Sequence, residues 1–186
     1  MVLFPAPETP MTRMWRGTLR TMAAYRSLRA VPLFRRKPAE HRAPQPGPFV
    51  VEAVAHVRNG VAVPRPHGWD RVESEVVLLP VHGARIEGIE TYSHVIIVFV
   101  LDMAADAPEK PEALTLASGR RYGIFATRSQ LRPNHLGVSA VRLLARDGLV
   151  LRVRGLDAVD GTAVIDIKPY LPAYDAWPEA AIPPAG

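Results

Sequence analysis

Two spacings of apolar residues divide this chain. From Thr9 to Arg29, Met11, Met14, Trp15, Leu19, Met22, Tyr25 and Leu28 recur at steps of one, three and four, with arginines between them. That spacing predicts an amphipathic helix, with Thr9 able to cap it and Pro10 suited to its first position. Residues 37–48 (KPAEHRAPQPGP) hold four prolines and no apolar run, which reads as a linker. Beyond it the pattern turns β-like. Residues 49–57, 72–79, 94–101, 120–127, 138–145, 149–156 and 163–167 are predicted strands, rich in Val, Ile and Phe. Asp147-Gly148 signals a hairpin, Asp160-Gly161 a tight turn, and residues 87–92 a helical turn or two. Short strands without long helices between them predict a mainly β protein: a small antiparallel β-barrel with a helical N-terminal extension. The expected organisation is an arm and Pro-rich linker over 1–48, a barrel domain over 49–175 and a flexible tail over 176–186.

Charge sharpens this division. Residues 1–46 carry nine basic and two acidic side chains, or +7, whereas residues 47–186 carry 14 and 16, or −2. A basic arm on a mildly acidic body points to an anionic surface or a packing partner: nucleic acid, a membrane surface, the body itself or a second subunit. Its Arg-rich, acid-poor composition also fits a transit peptide. With no cysteine, disulfides, thiolate metal sites and cysteine nucleophiles are excluded. The longest strongly apolar run, residues 95–101 (VIIVFVL), is far short of the ~20 residues of a membrane helix. No signal-peptide pattern opens the chain, so a cytoplasmic location is expected. GxGxxG, GxxxxGK[ST] and GxSxG are all missing, which argues against a doubly wound nucleotide fold. The six histidines form no HExxH-like pair, so no zinc site is expected.

Two stretches carry more chemistry than strands and turns need. Residues 126–137 (ATRSQLRPNHLG) combine Arg128, Arg132, Ser129 and Asn134, donors suited to a carboxylate or phosphate. Read structurally, the same residues make a polar crossover loop whose arginines pair with acids. Residues 155–171 (GLDAVDGTAVIDIKPYL) place Asp157, Asp160 and Asp166 near Lys168. As plain turn chemistry, Asp160-Gly161 would close a hairpin and Asp166 and Lys168 would share a strand face.

Together, ATRSxxRPNxxG and GLDxxDGTxVxDIKPYLP resemble the TsaA/TrmO family, and residues 86–100 (IEGIETYSHVIIVFV) are similar to a third family stretch. The resemblance covers roughly residues 49–174. It implies a dimerising all-β barrel that binds S-adenosylmethionine near the dimer interface and methylates N6-threonylcarbamoyladenosine beside the tRNA anticodon. Carried onto this sequence, the donor-binding positions are Arg128, Val138, Arg154, Gly155, Leu156 and Asp157, with Asp102, Met103, His67, Gly68 and Trp69. The acceptor-binding positions are Arg132, Asn134, His135, Asp166, Lys168 and Tyr170. Asp157, Asp166 and Tyr170 are candidates for a general base. An Arg suits the methionine carboxylate and an Asp suits the ribose hydroxyls or the amine.

The chain departs from the family pattern in places. Arg58-Asn59-Gly60 stands where R-S-P is usual, Pro64-Arg65-Pro66 where P-R-Q is usual, and His135 where the second Pro of RPNPIG is usual. Relatives often have His at the position aligned with Asp102. The −2 body is a poor match for tRNA phosphates, so the arm is the expected phosphate clamp. Two other readings stay open: S-adenosylmethionine-dependent methylation of a small molecule, and a non-catalytic S-adenosylmethionine-binding module.

Overall fold

A computed structural model of the protein describes residues 47–105 and 110–182. The expected helix over 9–29 and most of the linker lie outside the described residues. The described chain falls into two units. One holds residues 47–49 and 171–180, with a short helix at Pro172–Asp175 whose entry is tied by the Leu171 N–H donating to Asp175 Oδ2 (2.7 Å). The other holds residues 50–170, 181 and 182, and carries the barrel.

That second unit contains β1 (Ala55–Arg58), β2 (Glu73–Leu78), β3 (His94–Val100), β4 (Ala113–Thr115), β5 (Arg121–Gly123), β6 (Leu136–Asp147), β7 (Val150–Arg154) and β8 (Ala163–Pro169). Six of them close a barrel in the order β1-β2-β7-β6-β3-β8, every neighbouring pair antiparallel. Closure leaves no free edge, which suits strands this short. Alternation fixes the inward face. Val57, Val76, Val95, Ile97, Phe99, Val141, Leu151, Val153 and Val164 are buried, and Leu156 and Ile86 pack against them. Each such side chain contributes roughly 1.5–3 kcal/mol by leaving water. Between Val98 and Phe99 the pairing on β8 jumps from Asp166 to Val164, leaving Ile165 as a bulge residue that bends the strand.

The predicted antiparallel barrel is therefore present, with differences at its edges. β1 begins at Ala55, not at residue 49, because its pairing with both β2 and β8 starts there; Val50 and Val51 are exposed. Residues 120–127 are not a barrel strand. β5 pairs with β4 in a separate two-stranded sheet, and the chain then tightens into a 3-10 turn at Ile124–Ala126. A seven-residue 3-10 segment, Pro80–Ile86, has no counterpart in the pattern reading, and residues 87–92 contain a 3-10 turn at Ile89–Thr91. The Asp147-Gly148 hairpin joins β6 to β7, with Gly148 left-handed at φ 55°. Asp160-Gly161 is a turn, but β7 and β8 are not neighbours in the barrel, so it closes no hairpin between them.

Candidate functional site at one mouth of the barrel

Strand directions place the motif loops together. The register brings the C-terminal ends of β1, β3 and β7 and the starts of β2, β6 and β8 to one mouth. There a cleft of about 530 Å³ opens, lined by Pro64, Arg65 and Trp69, by Phe99 and Leu101, by residues from Phe125 to Val138, and by Asp157. An adjoining recess of about 40 Å³ shares Trp69, Phe99 and Asp157 and adds Asp102 and Met103. The larger volume is in the range of small-molecule sites, and its walls mix apolar and polar groups.

The loop between β5 and β6 is held by its own side chains. Thr127 Oγ1 donates to the Ile124 carbonyl (2.8 Å) and accepts from the Ser129 N–H (3.3 Å), and Ser129 Oγ accepts from the Leu131 N–H (3.1 Å). Arg132 Nη1 donates to the Thr127 carbonyl (2.8 Å), which holds its guanidinium over the Phe125 ring, 5.7 Å from the centroid. Such local bonds satisfy backbone groups that no strand reaches. His135 is left-handed at φ 49°, a geometry closed to proline, and its carbonyl accepts from the Leu101 N–H (2.7 Å). His135 is buried, at 8% exposure, and both ring nitrogens lack a protein partner. Gly137 faces Phe99 across β3 and β6. A Cβ there would stand 2.3 Å from the ring, so the ring fills the space that the glycine leaves.

The opposite rim is tied by the Asn59-Gly60 turn. Asn59 Nδ2 donates to Ser74 Oγ (3.0 Å) and to the Ala158 carbonyl (2.9 Å), and Asn59 Oδ1 accepts from the Val61 N–H (3.0 Å). Asp160 Oδ1 accepts from the Asn59 and Gly60 amides (2.7 and 3.0 Å). The Gly60 amide, then the Asn59 amide, hold the Asp160 carboxyl below the usual aspartate range.

Of the expected donor-binding residues, Arg128, Val138, Asp157 and Trp69 line the cleft, and Asp102 and Met103 line the recess. Arg128 is exposed and donates from Nη2 to the Val138 carbonyl (3.0 Å). Asp157 Oδ1 accepts a hydrogen bond from Ser139 Oγ. Trp69 is fixed by Nε1 donating to the Arg65 carbonyl (2.8 Å), and the Arg65 guanidinium lies 5.0 Å from the ring centroid. The remaining five do not line the cleft. Arg154 pairs with Glu73 across β2 and β7 (2.6 Å), Leu156 is in the core, and Gly155 is left-handed at φ 94° with its N–H on the Val72 carbonyl (3.0 Å). His67 is exposed, and Gly68 is the left-handed entry to a 3-10 turn at Trp69–Arg71.

The expected acceptor-binding residues divide as well. Arg132 lines the cleft, while Asn134 is exposed beside it in sequence. Asp166 and Lys168 form an ion pair (2.5 Å) on β8, opposite Val98 and Ile96. Tyr170 donates its N–H to the His94 carbonyl, at the far end of β3 from Phe99, and its ring stands 6.3 Å from that of His94. At ~3.3 Å per residue that end is roughly 20 Å from the mouth. Pattern reading gave no site role to Phe125, Thr127, Gln130, Phe99 or Arg65. Phe125 and Thr127 lay inside a predicted strand, and only the 3-10 turn that replaces it turns them to the cleft.

Among the described residues, no cluster of three metal-ligating side chains occurs, and no helix is long and apolar enough to cross a membrane. A sequence model of the family described as tRNA-methyltransferase O N-terminal domain matches residues 55–176. A probable S-adenosyl-L-methionine-binding protein of Archaeoglobus fulgidus is 39% identical over 128 residues, covering 67% of this chain and 34% of the relative. The tRNA (adenine(37)-N6)-methyltransferase of Escherichia coli is 40% identical over 102 residues, covering 52% of this chain and 43% of the relative. A crystal structure of TrmO from Pseudomonas aeruginosa matches with a TM-score of 0.58 at 32% identity, over 73% of this chain and 62% of the other. The chain thus spans about a third to under a half of these two curated relatives.

Proposed function

From the premise that the chain belongs to the tRNA-methyltransferase O N-terminal domain family, we propose that it is an S-adenosylmethionine-dependent methyltransferase acting on N6-threonylcarbamoyladenosine next to a tRNA anticodon. The observation that carries this reading is the mouth cleft, where the two motif stretches meet: Arg128, Arg132 and Val138 from one, Asp157 from the other. The cleft suits the donor chemically. Arg128 offers planar donors to a carboxylate, Asp157 and Asp102 offer acceptors to hydroxyls or an amine, and Trp69, Phe99 and Leu101 offer flat or apolar walls to the nucleoside. S-adenosylmethionine supplies an electrophilic methyl group on sulfur. The chain's own part is to hold the acceptor nitrogen in line with it at ~3–3.5 Å. Of the three candidate bases, Asp157 is favoured, because Asp166 is paired to Lys168 and Tyr170 lies at the far end of β3.

The same reading includes a homodimer and a cytoplasmic location. On the outer face of β3 and β6, Ile96, Val98 and Val100 stand beside Leu136, Val138 and Ala140, an apolar strip that runs to the cleft through Val138. A second copy packed on it would meet Asp166 and Lys168 on adjoining β8, which gives these residues an acceptor-side role in a dimer. Arg154, Gly155 and Leu156 then support the donor site from behind Asp157, and His67 and Gly68 set the turn that presents Trp69. Residues 1–48 remain the basic arm and linker, 49–175 the catalytic domain and 176–186 the tail.

The test is mass spectrometry of tRNA nucleosides from cells with and without the protein, together with transfer of labelled methyl from S-adenosylmethionine to bulk tRNA. Methylated threonylcarbamoyladenosine that depends on the protein is expected. Label in a metabolite pool instead, or none at saturating donor, would sink the reading. Deleting residues 1–46 should weaken tRNA binding and flatten its salt dependence.

A further inference from the structure

Phe125 is 75% exposed, yet it is not loosely held. It is the middle residue of the 3-10 turn Ile124–Ala126, whose first residue is buried and donates its N–H to the Glu112 carbonyl (2.8 Å). Thr127 closes the turn by bonding the Ile124 carbonyl, and Arg132, itself anchored on the Thr127 carbonyl, lies over the Phe125 ring. The ring is thus a fixed flat surface backed by a cation. It also lines two hollows at once: the mouth cleft and a second groove of about 480 Å³ bounded by Pro111, Ile124, Leu131 and Pro133. The charged groups of that second groove are Lys110 and Glu112. With one charge of each sign, the groove has no net charge to draw a phosphate, and its remaining lining is largely apolar. An isolated exposed phenylalanine would need no explanation, but one pinned between two hollows and paired with an arginine does.

We propose that Phe125, held by Arg132, is a stacking platform for an unpaired RNA nucleobase, set so that one base lies on the cleft side and the next enters the Pro111–Pro133 groove. This rests on the methyltransferase reading above and adds the residue that would position its RNA. Single-stranded RNA is bound by stacking splayed bases on aromatic rings and guanidinium planes, a contact that every base can make. Gln130, which lines the same cleft, offers hydrogen bonds to a base edge.

The experiment uses the full-length protein and an RNA stem-loop carrying N6-threonylcarbamoyladenosine next to the anticodon and 2-aminopurine at the adjoining loop position. Phe125→Ala should lower RNA affinity about tenfold, within the span of stacking losses measured by alanine substitution. Phe125→Trp should retain the affinity, and Phe125→Leu, which keeps apolar area without a ring, should lose it. The 2-aminopurine fluorescence should be quenched by the parent and Phe125→Trp proteins and not by Phe125→Ala. RNA affinity is compared in the absence of S-adenosylmethionine, so that any change in donor binding at the shared cleft does not count as a stacking loss. If the parent binds and methylates the RNA while Phe125→Ala binds it equally well, the platform is wrong and the methyltransferase reading stands. If Phe125→Ala changes the sedimentation of the free protein with no change in RNA affinity, the ring is a subunit contact and the proposal falls. If the parent neither binds nor methylates RNA, both readings fall.

Discussion

The barrel wall and the mouth loops are built on different terms. In the wall, stability is shared among many interchangeable apolar side chains: Val57, Val76, Val95, Ile97, Val141, Leu151 and Val153 are all buried, and each has neighbours on both flanking strands. In the mouth, single polar atoms decide the shape. Thr127 Oγ1, Ser129 Oγ, Arg132 Nη1, Asn59 Nδ2 and Asp160 Oδ1 each satisfy a backbone group that no ladder supplies. The wall should therefore tolerate volume-conserving apolar exchange. The mouth should change geometry when one donor or acceptor is lost, even though those side chains are partly exposed. Phe99 belongs to both regions: it is 1% exposed inside the barrel, fills the space over Gly137 and lines the cleft.

Breaking that junction should give the largest effect. Phe99→Ala is expected to destabilise the protein by about 3–5 kcal/mol in urea unfolding, the usual cost of truncating a buried phenylalanine. Because the ring also covers Gly137, Gly137→Ala should be destabilising by itself and should cost much less in a Phe99→Ala background. That non-additivity is the sign of a shared space. Additive effects would show that the ring and the glycine do not depend on each other.

The two regions were also unequally legible in the sequence. The wall follows from the short β-rich runs 72–79, 94–101 and 149–156: the first opens as an alternation, the second is a continuous apolar run rich in β-branched residues. Residue preference says nothing about where pairing starts: 49–57 has the composition of a strand, although Val50 and Val51 have no ladder partner and β1 starts at Ala55. In the same way 120–127 looked like strand, since Tyr122, Ile124 and Phe125 are good β residues. Ile124 alone points inward, and Thr127 draws the backbone into a 3-10 turn. Motifs, not period, point to Arg128, Val138 and Asp157, which lie together only because β3 and β7 end, and β6 begins, at the same mouth. Phe125 and Arg65 are not legible in the sequence, because an exposed aromatic and an arginine over an indole acquire meaning only once the cleft exists.

The mouth can be tested without touching the wall. Arg128→Ala should weaken S-adenosylmethionine binding by about 1.5–3 kcal/mol in calorimetry, the range for a hydrogen bond to a charged group. Its unfolding free energy should stay within about 0.5 kcal/mol of the parent, as for an exposed side chain. Unchanged donor affinity would remove Arg128 from the donor site. A large loss of stability would place it with the structural ties of Thr127 and Arg132 and blur the contrast between the two regions.

The smallest effect is expected at Asp160, and it appears as a dependence on pH. The Gly60 and Asn59 amides favour the ionised carboxylate, so its folded-state pKa lies below the unfolded value. A group shifted this way binds its proton less readily when folded. Its contribution to stability is therefore complete above the unfolded aspartate pKa of about 3.9 and is lost as pH falls through the lower folded value. Asp160→Ala should lower the melting temperature slightly at neutral pH, and the difference from the parent should shrink as the solution is taken below about pH 4. A gap that stays constant from neutral to acid would mean that the turn is held by Asn59 alone, through its bonds to Ser74, Ala158 and Val61. In that case the Asp160 carboxylate would be an onlooker at the rim, and the mouth would depend on fewer atoms than its hydrogen bonds suggest.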